Sequence, residues 1–234
     1  GKPTTNQLSK AVRRAVVLAA GRGSRLHSLT NAAPKCLTRI NGQPLLERAL
    51  ETLSTQGITQ AVVVVGHMGE MVRKHLSNSF AEIDITYIEA PDYETTNNIR
   101  SLWDARAYLD EDVLLLEADI AFDASIIETL LAYQGSSAAV APYDPALTGT
   151  VVLRNSAAQI TSIILGTDQG PRFDTSGTFK TVNIYVLRKQ FLRKRLLPLL
   201  KDFIANGRVN EYYETVMRDI VADPRAEIDF AAVD

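Results

Sequence analysis

The chain has 234 residues, 46% of them hydrophobic and 22% charged, with a net charge of −2. That is apolar mass enough for a full α/β core without structural zinc, and the balanced charge offers no long-range field to nucleic acid or an anionic membrane. The single Cys36 excludes an intrachain disulfide, and no apolar run approaches the ~20 residues of a membrane span.

Residues 1–10 are polar and read as a linker outside the fold, which leaves one domain over 11–234. Residues 15–20 (AVVLAA) form a short continuous apolar run, the pattern of a strand buried on both faces. The glycine loop Gly21-Arg22-Gly23-Ser24-Arg25-Leu26 follows. Leu45, Leu46, Ala49, Leu50 and Leu53 recur at helical spacing within 43–54, and Gln56-Gly57 closes that helix. A second buried strand is expected over 61–65, a short helix over 69–76, and an alternating strand nearer an edge over 83–88. The spacing predicts a helix over 97–109, with Leu102, Ala105 and Leu109 inward. A third buried run covers 113–116 and ends in Glu117-Ala118-Asp119. Asp123 is placed to cap a helix over 125–133. Shorter strands are expected over 138–141, 149–154 and 159–165, and a clean alternation spans 180–187. Gly207 separates two helices, 189–206 and 210–222. Residues 166–178 are the most loop-like stretch, either a mobile loop over a site or a disordered segment. Strand–helix repeats in the first half predict a parallel sheet with helices on both faces. The strand-rich second half makes the expected α/β sheet mixed but mostly parallel.

Backbone N–H groups in a glycine loop after a buried strand can cradle phosphate. Two familiar patterns fail here. The dinucleotide fingerprint needs a third glycine where Leu26 stands and an acidic end to strand two, which instead ends Val65-Gly66-His67. The Walker pattern is absent. On the glycines alone, a plain strand–helix turn stays open.

The neighbourhood says more. Arg25 follows the loop, Pro34-Lys35 comes next, and Asn41-Gly42-Gln43-Pro44-Leu45-Leu46 leads into a helix. This run resembles the signature of the nucleotide-diphospho-sugar pyrophosphorylase-like nucleotidyltransferases, in which G-x-G-[ST]-R-[LM] precedes P-K and G-x-P-L. The segments YETTNNIRSL (93–102), LLLEAD (114–119), KTVNIY (180–185) and NEYYE (210–214) make it similar to bacterial cytidylyltransferases acting on phosphocholine, aminoethylphosphonate and related compounds. The resemblance covers residues 12–233.

It implies a Rossmann-like nucleotidyltransferase fold and a cytoplasmic enzyme. The implied reaction is Mg²⁺-dependent transfer of CMP from CTP to a small phosphorylated or phosphonate acceptor, releasing pyrophosphate. A phosphomonoester with a second pKa near ~6 is already mostly dianionic at pH 7, so no general base is needed. The task is to bring anion to anion. In that scheme Arg25 clamps the β,γ-phosphates, and Lys35 neutralises charge between the α-phosphate and the attacking oxygen. Ala19, Ala20, Gly21, Gly23 and Ser24 give close backbone approach, and Gly66 lets main chain reach the base. Asn97, Asn98 and Ser101, at a helix start, contact the nucleotide on one reading; on the other, Asn97 or Thr96 simply caps the helix. Asp119 holds Mg²⁺ at the carboxyl edge of the sheet. Lys180 either holds the acceptor phosphate or is a solvated strand-end charge. Tyr185, Tyr213 and Glu214, with Tyr212, Glu211 and Asp174 behind them, are candidates for a cationic amine. The basic cluster Arg188, Lys189, Arg193, Lys194 and Arg195 reads as a solvated helix face.

One departure stands out. Glu227-Ile228-Asp229 imitates the family's W-x-E-I-D segment, whose Asp holds metal, but lacks the Trp. The second metal ligand is therefore expected beyond Asp234, in a chain cut short there or continuing into a fused domain. An oligomer fits equally well. The alternatives are a sugar-1-phosphate nucleotidyltransferase using UTP, dTTP or GTP, and a catalytically silent nucleotide-binding module.

Overall fold

Residues 11–21 and 33–234 are described by the computed structural model. Gly23, Ser24 and Arg25, and with them three of the expected nucleotide contacts, lie outside the described residues. Strand β1 (Arg14–Ala19) occupies the centre. After a 3-10 turn over Lys35–Leu37 come the two-residue strands β2 (Arg39–Ile40) and β3 (Gln43–Pro44), then helix α1 (Leu45–Thr55). Strand β4 (Gln60–Val65), helix α2 (Gly69–Leu76), and strands β5 (Ser79–Phe80) and β6 (Ile83–Glu89) follow. Next are helix α3 (Asn98–Asp104), strand β7 (Val113–Glu117) and helix α4 (Ala124–Ala132). Strands β8 (Ser136–Pro142), β9 (Val151–Arg154), β10 (Ile160–Ile164) and β11 (Phe179–Leu187) make the strand-rich part. Helix α5 runs through Lys189–Phe191, a π-helical Leu192–Leu196 and Leu197–Ala205; helix α6 (Glu214–Ala222) and strand β12 (Phe230–Val233) close the fold.

The parallel strands lie in the order β6-β4-β1-β7, in register along their lengths. Their apolar runs alternate between two cores, as a pleated strand demands. Val16, Leu18, Val113 and Leu115 face α3, α5 and α6. Ala15, Val17, Leu114 and Leu116 face α1, α2 and α4. The fold class is as expected: a mostly parallel, mixed sheet flanked by helices.

Strand β11 runs antiparallel to β7 on one side and to β8 on the other. Its first residues extend past β7, where β9 takes over the same flank. The hairpin β9–β10 then curls until Gln159 bridges to Ala231 of β12, which pairs with β8. Strands β8, β11, β9, β10 and β12 thus form a closed ring.

Several elements differ from expectation. The helix expected over 97–109 stops at Asp104 and tightens into a 3-10 turn at Arg106–Tyr108. The last long helix begins at Glu214, not at 210. Asn41 and Gly42, with φ of 52° and 81°, form the tight turn of a β2–β3 hairpin that the helical pattern of 43–54 had masked. Asp123 stands at the N-cap of α4 but makes no side-chain cap bond. The stretch 166–178 is tied at its start: Gln169 Nε2 donates to the carbonyls of Gly149 (2.9 Å) and Ile164 (3.2 Å), and Arg218 pairs with Asp168.

Candidate active site

The order of the parallel strands reverses between β1 and β7. Open α/β sheets place ligands at the carboxyl ends of the strands flanking such a point. Strand β1 ends there in buried Ala19 and Ala20, followed by exposed Gly21. Strand β7 delivers Glu117 and then Asp119. The 3-10 turn brings Lys35 to the same edge, with the buried Cys36 beside it as the anchor in the α1-side core. Burial pushes the Cys36 thiol up to about 12, so it acts as a small apolar plug. Lys35 Nζ lies 2.5 Å from Asp119 Oδ2, and each side chain is about one-third exposed. Two residues 84 apart in sequence are therefore neighbours.

Leu115 and Glu117 share a strand face, so the Glu117 carboxyl points toward α3 and α6. It is fully buried. Burial first, then the charges of Glu214 and Asp119, raise it to about 8. Pairing of β7 with β11 ends at Leu116–Ile184, one residue before Glu117. Next to that point β11 bulges: its register against β8 shifts between Thr181 and Tyr185, and Asn183 adopts φ 60°.

A polar cluster fills this region of the core. Glu214, only 6% exposed, opens α6 and is raised to about 7, chiefly by burial, with Lys180 opposing. Lys180, 9% exposed, is lowered by burial and held up by Glu214. Its ammonium approaches the carbonyls of Thr181 (3.2 Å) and Thr150 (3.4 Å). It is therefore not a solvated strand-end charge. A Cβ on Gly149 (φ 123°) would stand 2.9 Å from Lys180 Nζ, so the glycine leaves that amine its place. The rings of Tyr185 and Tyr213 meet edge to face at 5.8 Å. Their buried hydroxyls come near Glu214 and each other without reaching hydrogen-bond geometry.

The remaining expected residues fall into place around this edge. Asn97 caps α3, its side chain accepting from the Asn98 N–H at 2.8 Å. Asn98 is engaged at both ends: Nδ2 donates to Glu117 Oε1 (3.1 Å), and Oδ1 accepts from the Tyr213 N–H (2.8 Å). Ser101 is buried within α3. A Cβ on Gly66 would meet Tyr93 at 2.7 Å and the Ala20 carbonyl at 3.0 Å, so close packing already explains the glycine. Tyr212 is exposed, and Glu211 is bound by Arg208 (2.7 Å). Glu117 was missed as a site residue, although a carboxylate closing a buried run was itself the signal.

The Glu227-Ile228-Asp229 triplet lies elsewhere. Strands β12 and β7 run in the same direction, through β8 and β11. Asp229 precedes β12, whereas Asp119 follows β7, so they stand at opposite edges of the sheet. Asp229 instead accepts from the Tyr133 hydroxyl and from Gln159 Nε2.

Comparison with known proteins gives the chain's relatives. The chain is 41% identical over 211 residues to a CMP-5'-(3-aminopropyl)phosphonate synthase of Streptomyces rubellomurinus, covering 89% of this chain and 33% of that protein. The chain thus spans about a third of that relative's length. It is 30% identical over 164 residues to a UTP–glucose-1-phosphate uridylyltransferase of Haloferax volcanii, covering 68% of this chain and 67% of that protein. The fold matches the inositol-1-phosphate CTP transferase from T. maritima with a TM-score of 0.74 at 23% identity, covering 97% of this chain and 86% of that one. The family model described as the MobA-like NTP transferase domain matches residues 15–215, and the chain belongs to that family.

Proposed function

We propose that the domain transfers CMP from CTP to a small phosphonate or phosphorylated acceptor, releasing pyrophosphate. The observation that carries this reading is the Lys35–Asp119 pair at the strand-order reversal, with the buried Lys180–Glu214 cluster behind it. The name of the Streptomyces relative favours CMP and a phosphonate.

The chemistry needs charge neutralisation more than proton transfer. Lys35 is fixed by its turn where a triphosphate would sit beyond β1, so its ammonium can follow charge growing at the α-phosphorus. A divalent metal fits at Asp119, whose carboxylate already holds a cation in the form of the Lys35 ammonium. Among the described residues no group of three or more His, Cys, Asp or Glu could hold a metal. Phosphate oxygens and water would complete the shell of a hard ion such as Mg²⁺, which keeps several waters. When bound, Mg²⁺ supplies positive charge to the phosphates. Lys180 would hold the acceptor's phosphonate, and Glu214 with Tyr185 and Tyr213 would receive an amine at its far end. Arg25, Gly23 and Ser24 keep their proposed phosphate contacts.

The test is pyrophosphate release with CTP, Mg²⁺ and a panel of phosphocholine, 2-aminoethylphosphonate, 3-aminopropylphosphonate and glucose-1-phosphate. Release with a phosphonate or small phosphoester is expected. Turnover of glucose-1-phosphate alone, with UTP preferred, would replace this reading with sugar-nucleotide synthesis. Lys35→Ala should lower kcat about a hundredfold or more while CTP affinity stays within about tenfold. Wild-type turnover in that variant removes Lys35 from the mechanism.

A further inference from the structure

Helix α3 is short, and its amino end is already occupied by protein. The Asn97 N–H donates to the Val209 carbonyl at 2.9 Å, the Asn98 N–H to the Asn97 side chain, and the Ile99 N–H to the Glu211 carbonyl at 3.4 Å. The groups that a helix leaves unsatisfied at its start are thus filled by Asn97 itself and by the segment leading into α6. That segment is braced from within: Arg208 holds Glu211 through two bonds of 2.7 and 2.9 Å and lies over the Phe203 ring. It ends in Tyr213 and Glu214, the residues offered to the acceptor. Asn98 then joins this segment to the sheet. Its one amide accepts from the Tyr213 N–H and donates to Glu117 at the end of β7, 115 and 19 residues away in sequence.

We infer that Asn98 is a positioning residue, whose amide sets where Tyr213 and Glu214 stand relative to the carboxyl edge of β7. This goes beyond the proposed transfer reaction and rests on that reading for its kinetic test. An Asn is suited to the task because one planar group carries a donor and an acceptor in opposite roles. Both bonds are partly buried, and loss of one partner leaves the other short of a bond. The competing view is that the Asn98 amide contacts the nucleotide directly.

The two ends can be separated by substitution. Asn98→Asp keeps the oxygen that accepts from Tyr213 but removes the donor to Glu117. Asn98→Ala removes both. If Asn98 positions the acceptor side, Asn98→Ala should raise the acceptor KM roughly tenfold or more and leave the CTP KM within about threefold. The double variant Asn98→Asp with Glu117→Gln exchanges donor and acceptor across the same gap. It should return the acceptor KM to within about threefold of wild type, because only the bond is needed. A rise in the CTP KM instead, an unchanged acceptor KM in Asn98→Ala, or no recovery in the double variant overturns the inference.

A readout without turnover keeps it testable if no acceptor on the panel is used, an outcome that would count against the transfer reading alone. Hydrogen exchange over residues 208–216 should quicken about tenfold or more in Asn98→Ala, with the Tyr213 amide among the affected sites, while α1 and α2 keep wild-type protection. Equal exchange in the variant and wild type shows that Asn98 does not hold this segment. Uniform quickening across the whole chain shows only general destabilisation, and also rejects it.

Discussion

At the scale of single residues, burial decides the behaviour of the site's acids. Glu214 is raised to about 7, foremost by burial, with Lys180 the cation facing it and Glu117, Tyr185 and Tyr213 around it. A carboxyl with a raised folded-state pKa holds its proton more tightly in the folded than in the unfolded chain. The stability this gives is fully present below the ordinary carboxylate range and is lost as pH rises through about 7. At about 1.4 kcal/mol per pKa unit the ceiling is on the order of 3 kcal/mol. Glu214→Gln should therefore match wild-type thermal stability near pH 5 no better than roughly, yet exceed it near pH 8. An equal slope of Tm against pH in both proteins would remove Glu214 as the source. That Lys35 and Asp119 lie at the carboxyl edge of the sheet was legible in the sequence, because motif and strand end put them there. The two hydrogen bonds of the Asn98 side chain were not, since its partners lie at 117 and 213 and only folding reveals them.

At the scale of elements, apolar continuity announced β1, β4 and β7, and helical spacing announced α1. What periodicity could not show was where regular structure gives way. Strand β11 reads as one clean alternation, yet it bulges at Asn183 with φ 60°. Left-handed backbone disfavours residues with branched side chains and suits Asn or Gly. The bulge frees β11 from β7 just where Glu117 turns toward the helices. Asn183→Gly should keep stability within about 1 kcal/mol, whereas Asn183→Val should lower it by ~1–2 kcal/mol or more. Urea unfolding of the two variants checks this; equal midpoints would show that the bulge tolerates any backbone shape.

At the scale of the whole molecule, the closed ring of β8, β11, β9, β10 and β12 is joined by the Gln159–Ala231 bridge and the Ala232 N–H donating to the Ala158 carbonyl at 2.8 Å, and one side chain braces that closure. Gln159 receives the Phe230 N–H at 3.1 Å and donates to the Tyr133 hydroxyl at 2.6 Å and to Asp229 at 3.1 Å. Gln159→Ala leaves those partners short of bonds, and a loss of ~1–3 kcal/mol is expected in chemical denaturation. No loss would place the closure in the backbone pairing alone. The ring was invisible in sequence, because a single bridging pair between distant strands leaves no periodic trace.

The ring also bears on how copies of this chain meet one another. A sheet ordinarily ends in two rows of unpaired backbone groups, each a template on which a neighbour's strand can add. Here one flank curls back on itself. The other is finished by β5, a strand of only two residues, followed by Ala81 and Glu82 in left-handed conformations. That strand covers only Ile83 and Asp84 of β6, and the remainder of that edge carries the exposed polar Thr86 and Glu89, which disfavour templated growth. The very apolar runs that build the centre, AVVVV and VLLL among them, are thereby shielded from the stacking they would favour as free peptides.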